Sequence, residues 1–227
     1  ADREIIENAC FCITQTVGGL WEQTLVRRPV PSDATAQLRA RLDDVFRLYP
    51  ELAADAKTIG REAVPAMTDL LAAAEAAEQG LAAPFAVLLH GDFNLNNLVY
   101  DHTAQRIHYI DLHRSREGDY AQDTAVFLAS NFRLPFFDLH LRGQLELVMR
   151  RFLEFARGFA ADQGDDAFEA RLTFAVARAL ATSARFEVNR SFARELFHRG
   201  VYLLTRAVAH AGRPWAQLAF PDSVLVY

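Results

Sequence analysis

The sequence predicts a mainly α-helical α+β chain with one small β-hairpin island near its middle. Three observations predict it. About half of the 227 residues are apolar and 17 are phenylalanine, so a sizeable buried core is expected rather than disorder. Long stretches on both sides carry apolar residues at helical spacing, and a central stretch of about 25 residues changes to short β-type runs.

Taken in order, residues 4–17 place Ile5, Ile6, Ala9 and Ile13 at near-helical spacing, with Gly18-Gly19 expected to end or bend the segment. Pro29 to Pro31 breaks the chain. Ser32 or Asp33 is then placed to cap a helix carrying Leu38, Leu42, Val45, Phe46 and Tyr49, stopped by Pro50. Another helix is predicted from Pro65 to Gln79, with Gly80 terminating it. Ala86-Val87-Leu88-Leu89 reads as a short buried strand. Asn97–Tyr100 and Ile107–Ile110 read as two strands, joined through Asp101-His102-Thr103-Ala104 as a hairpin connection. Helical periodicity returns from Asp119 to Phe132 and is expected to continue from Asp138 to the end. Leu141, Leu145, Val148, Phe152, Phe155 and Phe159 form one stripe. After a turn at Gln163-Gly164-Asp165-Asp166, Phe168, Leu172, Ala175, Ala179 and Phe186 form a second, and Val201, Leu204 and Val208 a third.

Composition excludes some functions. A formal charge of −5 and a pI of about 5.8 argue against a general nucleic-acid binder, which shows a basic stripe. Cys10 and Cys12, the only cysteines, can build neither a disulfide framework nor a four-cysteine zinc site, and read as small buried hydrophobes. Asp2, Arg3, Glu4 and Glu7 interrupt any signal-like apolar run, and no apolar stretch is long enough to span a bilayer. No membrane partner is expected, and the cytoplasm is the expected location.

The chemistry gathers in the hairpin island. Asp92 follows a buried strand, Asn97 opens the next strand and Asp111 ends the one after it. A hairpin folds residues 97–111 back on themselves, so Asp92, Asn97 and Asp111 can converge in one pocket. Two carboxylates and an amide oxygen suit a magnesium ion with a general base, because magnesium prefers hard oxygen ligands. Phosphoryl transfer needs little else from the protein than a metal site and a carboxylate to orient the attacking hydroxyl. His108 and His113 flank Asp111, but the further His motifs of a binuclear phosphoesterase are absent. Arg114 and Arg116 lie just beyond Asp111, where they can approach phosphate or remain in a solvated loop.

His90-Gly91-Asp92-Phe93-Asn94-Leu95-Asn96-Asn97, with Asp111 after a short hairpin, resembles the H-x-D-x-x-x-x-N and metal-loop layout of the protein-kinase superfamily. The local His-Gly-Asp form is similar to the aminoglycoside phosphotransferase and choline kinase group. Ile110-Asp111, Gly118-Asp119-Tyr120 and Asp123 agree with that group's following run, with Tyr120 in place of its proline and Thr124-Ala125 in place of Leu-Ala. The resemblance is specific over residues 85–128. It implies a kinase-like C-terminal lobe in which the hairpin carries the catalytic and metal loops. It implies Asp92 as catalytic base, Asn97 and Asp111 as ligands of Mg2+ against the phosphates of ATP, and His90 and Asp123 as supports of the catalytic loop. The implied activity is phosphorylation of a hydroxyl on a small molecule of the sugar, amino sugar or amino alcohol type.

Such kinases also have an N-terminal lobe, mostly β-sheet, that supplies a lysine for the phosphates. Here residues 1–84 read as leading helices, 85–128 as the loops and 129–227 as a helical substrate-side subdomain. The only lysine, Lys57, lies in an Ala/Asp-rich segment rather than an apolar strand. The chain is therefore expected to be a C-terminal lobe alone, inactive by itself, whose partners are nucleotide, small-molecule acceptor and an N-terminal lobe or further domain of the same protein. A non-catalytic pseudokinase or regulatory module is the alternative. The acceptor region is expected on the terminal helices, where Arg185, Glu187, Asn189 and Arg190 cluster beside Phe186 and Phe192 without the acidic cluster that would suit an aminoglycoside.

Overall fold

A computed structural model describes residues 3–53, 57–59 and 62–227. In chain order the elements are α1 (Arg3–Thr24), β1 (Val30–Pro31), α2 (Ala34–Leu48), β2 (Lys57–Ile59), β3 (Glu62–Val64), α3 (Met67–Glu78), β4 (Ala82–Ala83) and β5 (Val87–Leu89). They continue with β6 (Leu98–Asp101), β7 (Arg106–Tyr109), β8 (Arg116–Gly118), α4 (Ala121–Phe132), α5 (Leu139–Gln163), α6 (Phe168–Ser183) and α7 (Arg190–His210). The chain is thus mainly helical, with its β-structure in short pairs. It forms two compact units, one of residues 1–30, 83–168 and 221–227, the other of residues 31–82 and 169–220.

The first unit is built around aromatic side chains. Trp21 of α1 is fully buried and stacks on Phe155 of α5, with ring centroids 5.7 Å apart. Phe127 of α4 meets Phe152 of α5 at 4.1 Å. Tyr120 lies sandwiched between Phe85 and Phe168, nearly parallel to both, and its hydroxyl donates to Asp165 Oδ2 at 2.7 Å. Gly18-Gly19 does not end α1, which runs on to Thr24. The cost of a helical glycine, about 1 kcal/mol, is outweighed by burial of Val17 and Trp21, and Gly18 admits the Phe155 ring, which a Cβ there would meet at 3.1 Å. Cys10 and Cys12 are free and buried, and burial pushes the Cys10 thiol up to about 11. No described helix is long and apolar enough to cross a membrane.

In the second unit the two stretches 31–82 and 169–220 pack together. Phe46 of α2 meets Phe197 of α7 edge-on, and Gly200 lets α7 approach α6 so closely that a Cβ would stand 2.8 Å from Ala177 O. The start of α2 departs from its predicted cap. Asp33 makes no side-chain cap bond. Instead Glu78, at the end of α3 and buried, accepts Ala34 N at 3.0 Å and Thr35 N at 2.9 Å. It also accepts the hydroxyls of Ser32 and Thr35. A carboxylate at a helix N-terminus satisfies orphan amides and the helix dipole together.

Two further expectations are corrected. The segment before residue 85 is not wholly helical, because β2 and β3 pair antiparallel with Lys57 opposite Val64 and Ile59 opposite Glu62; Ala54 to Ala56 lie outside the described residues. Nor is the end of the chain helical throughout. After His210, Pro214 and Pro221 limit it to 3-10 turns at Trp215–Gln217 and Asp222–Leu225.

Candidate functional site

The site belongs to the first unit. β5 runs antiparallel to β8, with Leu89 opposite Arg116. β6 and β7 form the hairpin, from Leu98 opposite Tyr109 to Asp101 opposite Arg106. Ile110 N donates to Asn97 O at 3.1 Å, so the hairpin's two ends close on each other. Residues 90–97 link the two strand pairs, with a 3-10 turn at Leu95–Asn97 capped by Asn94, whose side chain accepts Asn96 N.

This loop is fixed from beneath. His90 is buried, and its Nε2 lies 3.0 Å from Ile110 O. A carbonyl only accepts, so Nε2 carries the hydrogen and Nδ1 is free to accept Asp92 N–H, at 3.3 Å. Asp123, in the first turn of α4, accepts His90 N at 2.7 Å on one oxygen and Gly91 N at 3.0 Å on the other. Burial pushes the Asp123 carboxyl up to about 6, against those two N–H groups and Arg116, which favour its charged form. Gly91 has φ +82°, and a Cβ there would stand 2.2 Å from Arg114 O. Only glycine fits where the end of β5 and the segment after Asp111 pass so closely.

Asp92 Oδ1 accepts Asn94 Nδ2 at 3.0 Å, and Oδ2 accepts Arg114 Nη1 at 3.2 Å. Asn97, also buried, donates Nδ2 to Asp92 O at 2.8 Å, which leaves the lone pairs of its Oδ1 outside that bond. Asp111 sits in the left-handed region, φ 60° and ψ 51°, and opens a 3-10 turn at Leu112–Arg114. Its Oδ1 is 2.5 Å from His113 Nδ1. The structure therefore ties Asp92, Asn97 and Asp111 into one hydrogen-bonded neighbourhood. Among the described residues, no group of three or more His, Cys, Asp or Glu gathers in a way that would hold a metal by itself.

Arg185, Glu187 and Asn189 lie in the second unit, around a 3-10 turn at Ala184–Phe186. Asn189 caps α7 by accepting Ser191 N and Phe192 N, Arg185 donates to Thr182 O and stacks on Phe186, and the backbone oxygen of Glu187 accepts the Tyr49 hydroxyl.

Three residues of the site carry roles that the sequence pattern did not assign. Phe93 is fully buried against Phe127, Phe152 and Tyr109, and anchors the loop in the core. An aromatic between Asp92 and Asn94 in a largely polar run is its signal. Asn94 and Arg114 hold the Asp92 carboxylate, and nothing in their spacing announces it.

No curated protein matches the chain. Among solved structures it is similar to a glucosamine kinase (crystal form B), with 18% sequence identity and a TM-score of 0.49. That comparison covers 92% of this chain and 53% of the other, so the chain spans about half the length of that structure. The APH family, described as the phosphotransferase enzyme family, matches residues 22–155, which is more than half of the chain. The loop from His90 to Asn97, the hairpin and Asp111 all fall inside that span, and the chain belongs to the APH phosphotransferase family.

Proposed function

We propose that this chain carries the base and the cation ligands of an ATP- and magnesium-dependent phosphotransferase acting on a hydroxyl of a small molecule of the sugar, amino sugar or amino alcohol type. The observation that carries the reading is the joint fixing of Asp92, Asn97 and Asp111. Asp92 and Asn97 are joined directly, Asn97 and the residue before Asp111 are joined backbone to backbone, and Asp123 holds the loop from below.

In this reading Asp92 orients the acceptor hydroxyl and takes its proton. The oxygen–hydrogen bond breaks, the acceptor oxygen bonds the terminal phosphorus of ATP, and the bridging bond to the leaving ADP breaks. General base catalysis of this kind contributes about 10²–10⁴-fold. The donor set fits magnesium: Asn97 Oδ1, its amide nitrogen being committed to Asp92 O, and the Asp111 carboxylate, of which His113 holds one oxygen, are both hard oxygen ligands. Magnesium bound there would neutralise phosphate charge. His90, with one nitrogen on Ile110 O and the other under Asp92 N, keeps Asp92 in line with the hairpin end.

The test is phosphate transfer by the natural protein from ATP to a panel of sugars, amino sugars and amino alcohols, read by product formation with and without magnesium. Turnover that disappears in Asp111→Ala supports the reading. Turnover in Asp111→Ala with unaltered magnesium dependence refutes the ligand assignment, and no turnover of any member refutes the proposed acceptor class.

A further inference from the structure

Asp92 and Asp111 are joined by more than the hairpin. Asp111 Oδ1 lies 2.5 Å from His113 Nδ1, Arg114 Nε is 3.2 Å from His113 Nε2, and Arg114 Nη1 is 3.2 Å from Asp92 Oδ2. The directions are all determined. The carboxylate of Asp111 accepts, so His113 Nδ1 carries the hydrogen. Arg114 Nε–H donates, so His113 Nε2 is the acceptor and Nδ1–H faces Asp111. A single guanidinium then spans His113 and Asp92 through two different nitrogens. Its planar fork suits two partners at a fixed angle, as a lysine ammonium does not.

We propose that His113 and Arg114 are positioning residues that couple the cation ligand Asp111 to the base Asp92, so that the hold on one carboxylate depends on the other. The roles given to Asp92 and Asp111 rest on the phosphotransferase reading above, whereas the bridge itself is geometry. Stability does not account for the bridge. The His113 and Arg114 side chains are 61% and 59% exposed, and ion pairs that exposed contribute little to stability. Its consequence is position. A carboxylate that ligates a cation is commonly oriented by a hydrogen-bonded neighbour, and loss of that neighbour costs about 10–100-fold in affinity. Here the neighbour of Asp111 is itself oriented by the arginine on Asp92. Asp92's other oxygen is fixed by Asn94, so the bridge has a rigid far end.

The first measurement needs no metal. Hydrogen exchange of Arg114 Nε–H in the natural protein, followed by 15N side-chain NMR, is expected to be slowed relative to exposed arginines. It should become several-fold faster in His113→Ala, and also in Asp111→Asn, although the hydrogen bonds of Arg114 go to His113 and Asp92. Unslowed exchange in the wild type, or exchange unaffected by Asp111→Asn, overturns the proposal. The second measurement uses Mn2+ alone as probe, read by paramagnetic broadening of the Asn97 side-chain amide. Its affinity should fall about 10–100-fold in His113→Ala and several-fold in Arg114→Ala, with the double variant no weaker than His113→Ala. Arg114→Lys keeps the charge beside Asp92 but cannot span both partners, so it should behave as Arg114→Ala; rescue by lysine, or Mn2+ affinity untouched by either single variant, overturns the coupling. Should Mn2+ broaden nothing in the wild type, the cation assignment fails, and the exchange measurement still decides whether the bridge exists. These exposed substitutions should shift the melting temperature by no more than about 2–4 °C.

Discussion

Gly91→Ala tests the geometry on which the site depends, and Gly80→Ala supplies its control. The two glycines have almost the same backbone, φ +82° and φ +83°. Alanine in the left-handed region costs roughly 1–2 kcal/mol at either position. They differ in what a Cβ would meet. At Gly80 nothing lies within 4 Å, whereas at Gly91 the Cβ would stand 2.2 Å from Arg114 O and 2.7 Å from Arg114 C. Restoring van der Waals distance needs a relative shift of about 1 Å between two backbone segments, and forced repacking of that kind costs about 1–3 kcal/mol more. Neither segment yields easily, since Gly91 N is held by Asp123 and Ser115 Oγ donates to His90 O. Gly80→Ala should therefore cost about 1–2 kcal/mol and Gly91→Ala about 2–5 kcal/mol. Urea unfolding followed by tryptophan fluorescence reads both. Trp21 reports the first unit and Trp215 the second, so Trp215→Phe and Trp21→Phe backgrounds assign each transition to its unit. A shift of about 1 Å between Asp92 and the Arg114 backbone should also lower phosphate transfer by roughly 10²-fold. If Gly91→Ala destabilises its unit no more than Gly80→Ala destabilises the other, the close approach at Arg114 is wrong.

The Asp123 carboxyl is raised by burial from 3.8 to about 6, so its stabilising contribution is complete below pH 3.8 and is lost as pH rises through about 6. Wild type should thus lose stability relative to Asp123→Asn between pH 4 and 6, by up to about 1.4 kcal/mol per pH unit, with a flat difference above pH 7; denaturation at each pH that shows no slope, or the opposite slope, refutes it. Glu78→Ala removes the acceptor of two backbone amides and two hydroxyls, and should destabilise the second unit by about 3 kcal/mol or more, read through Trp215. Tyr120→Phe deletes the buried hydroxyl on Asp165 while keeping the stack on Phe85 and Phe168, so it should cost about 1–3 kcal/mol in the Trp21 transition.

The loop and hairpin were legible because their chemistry lies close together in sequence. A strand, a turn and a hairpin return residues 92, 97 and 111 to one place by local geometry alone. Asp123 was legible only through family resemblance, since its partners lie over 30 residues upstream. β8 left no trace, because three residues reading Arg-Glu-Gly show no apolar alternation and gain their strand character from β5. The cap of α2 is hidden from local sequence for the same reason: Ser32 and Asp33 have cap chemistry, but the acceptor that reaches the amides comes from Glu78, 43 residues beyond Thr35. Asn189, expected from sequence only in the acceptor region, caps α7 through its side chain. Gly18 and Gly19 show local propensity overridden by the packing of Trp21.

Asp92→Asn in the natural protein tests the central claim most directly. Asparagine preserves shape and can keep one contact to Asn94 or Arg114, but it cannot accept a proton from a hydroxyl. With the best acceptor of the panel, kcat should fall by about 10²–10⁴-fold while nucleotide affinity and the unfolding midpoint of the Trp21 unit stay near wild type. An Asp92→Asn protein that transfers phosphate at the wild-type rate would contradict the assignment of the His90–Asn97 loop as the site of phosphoryl transfer.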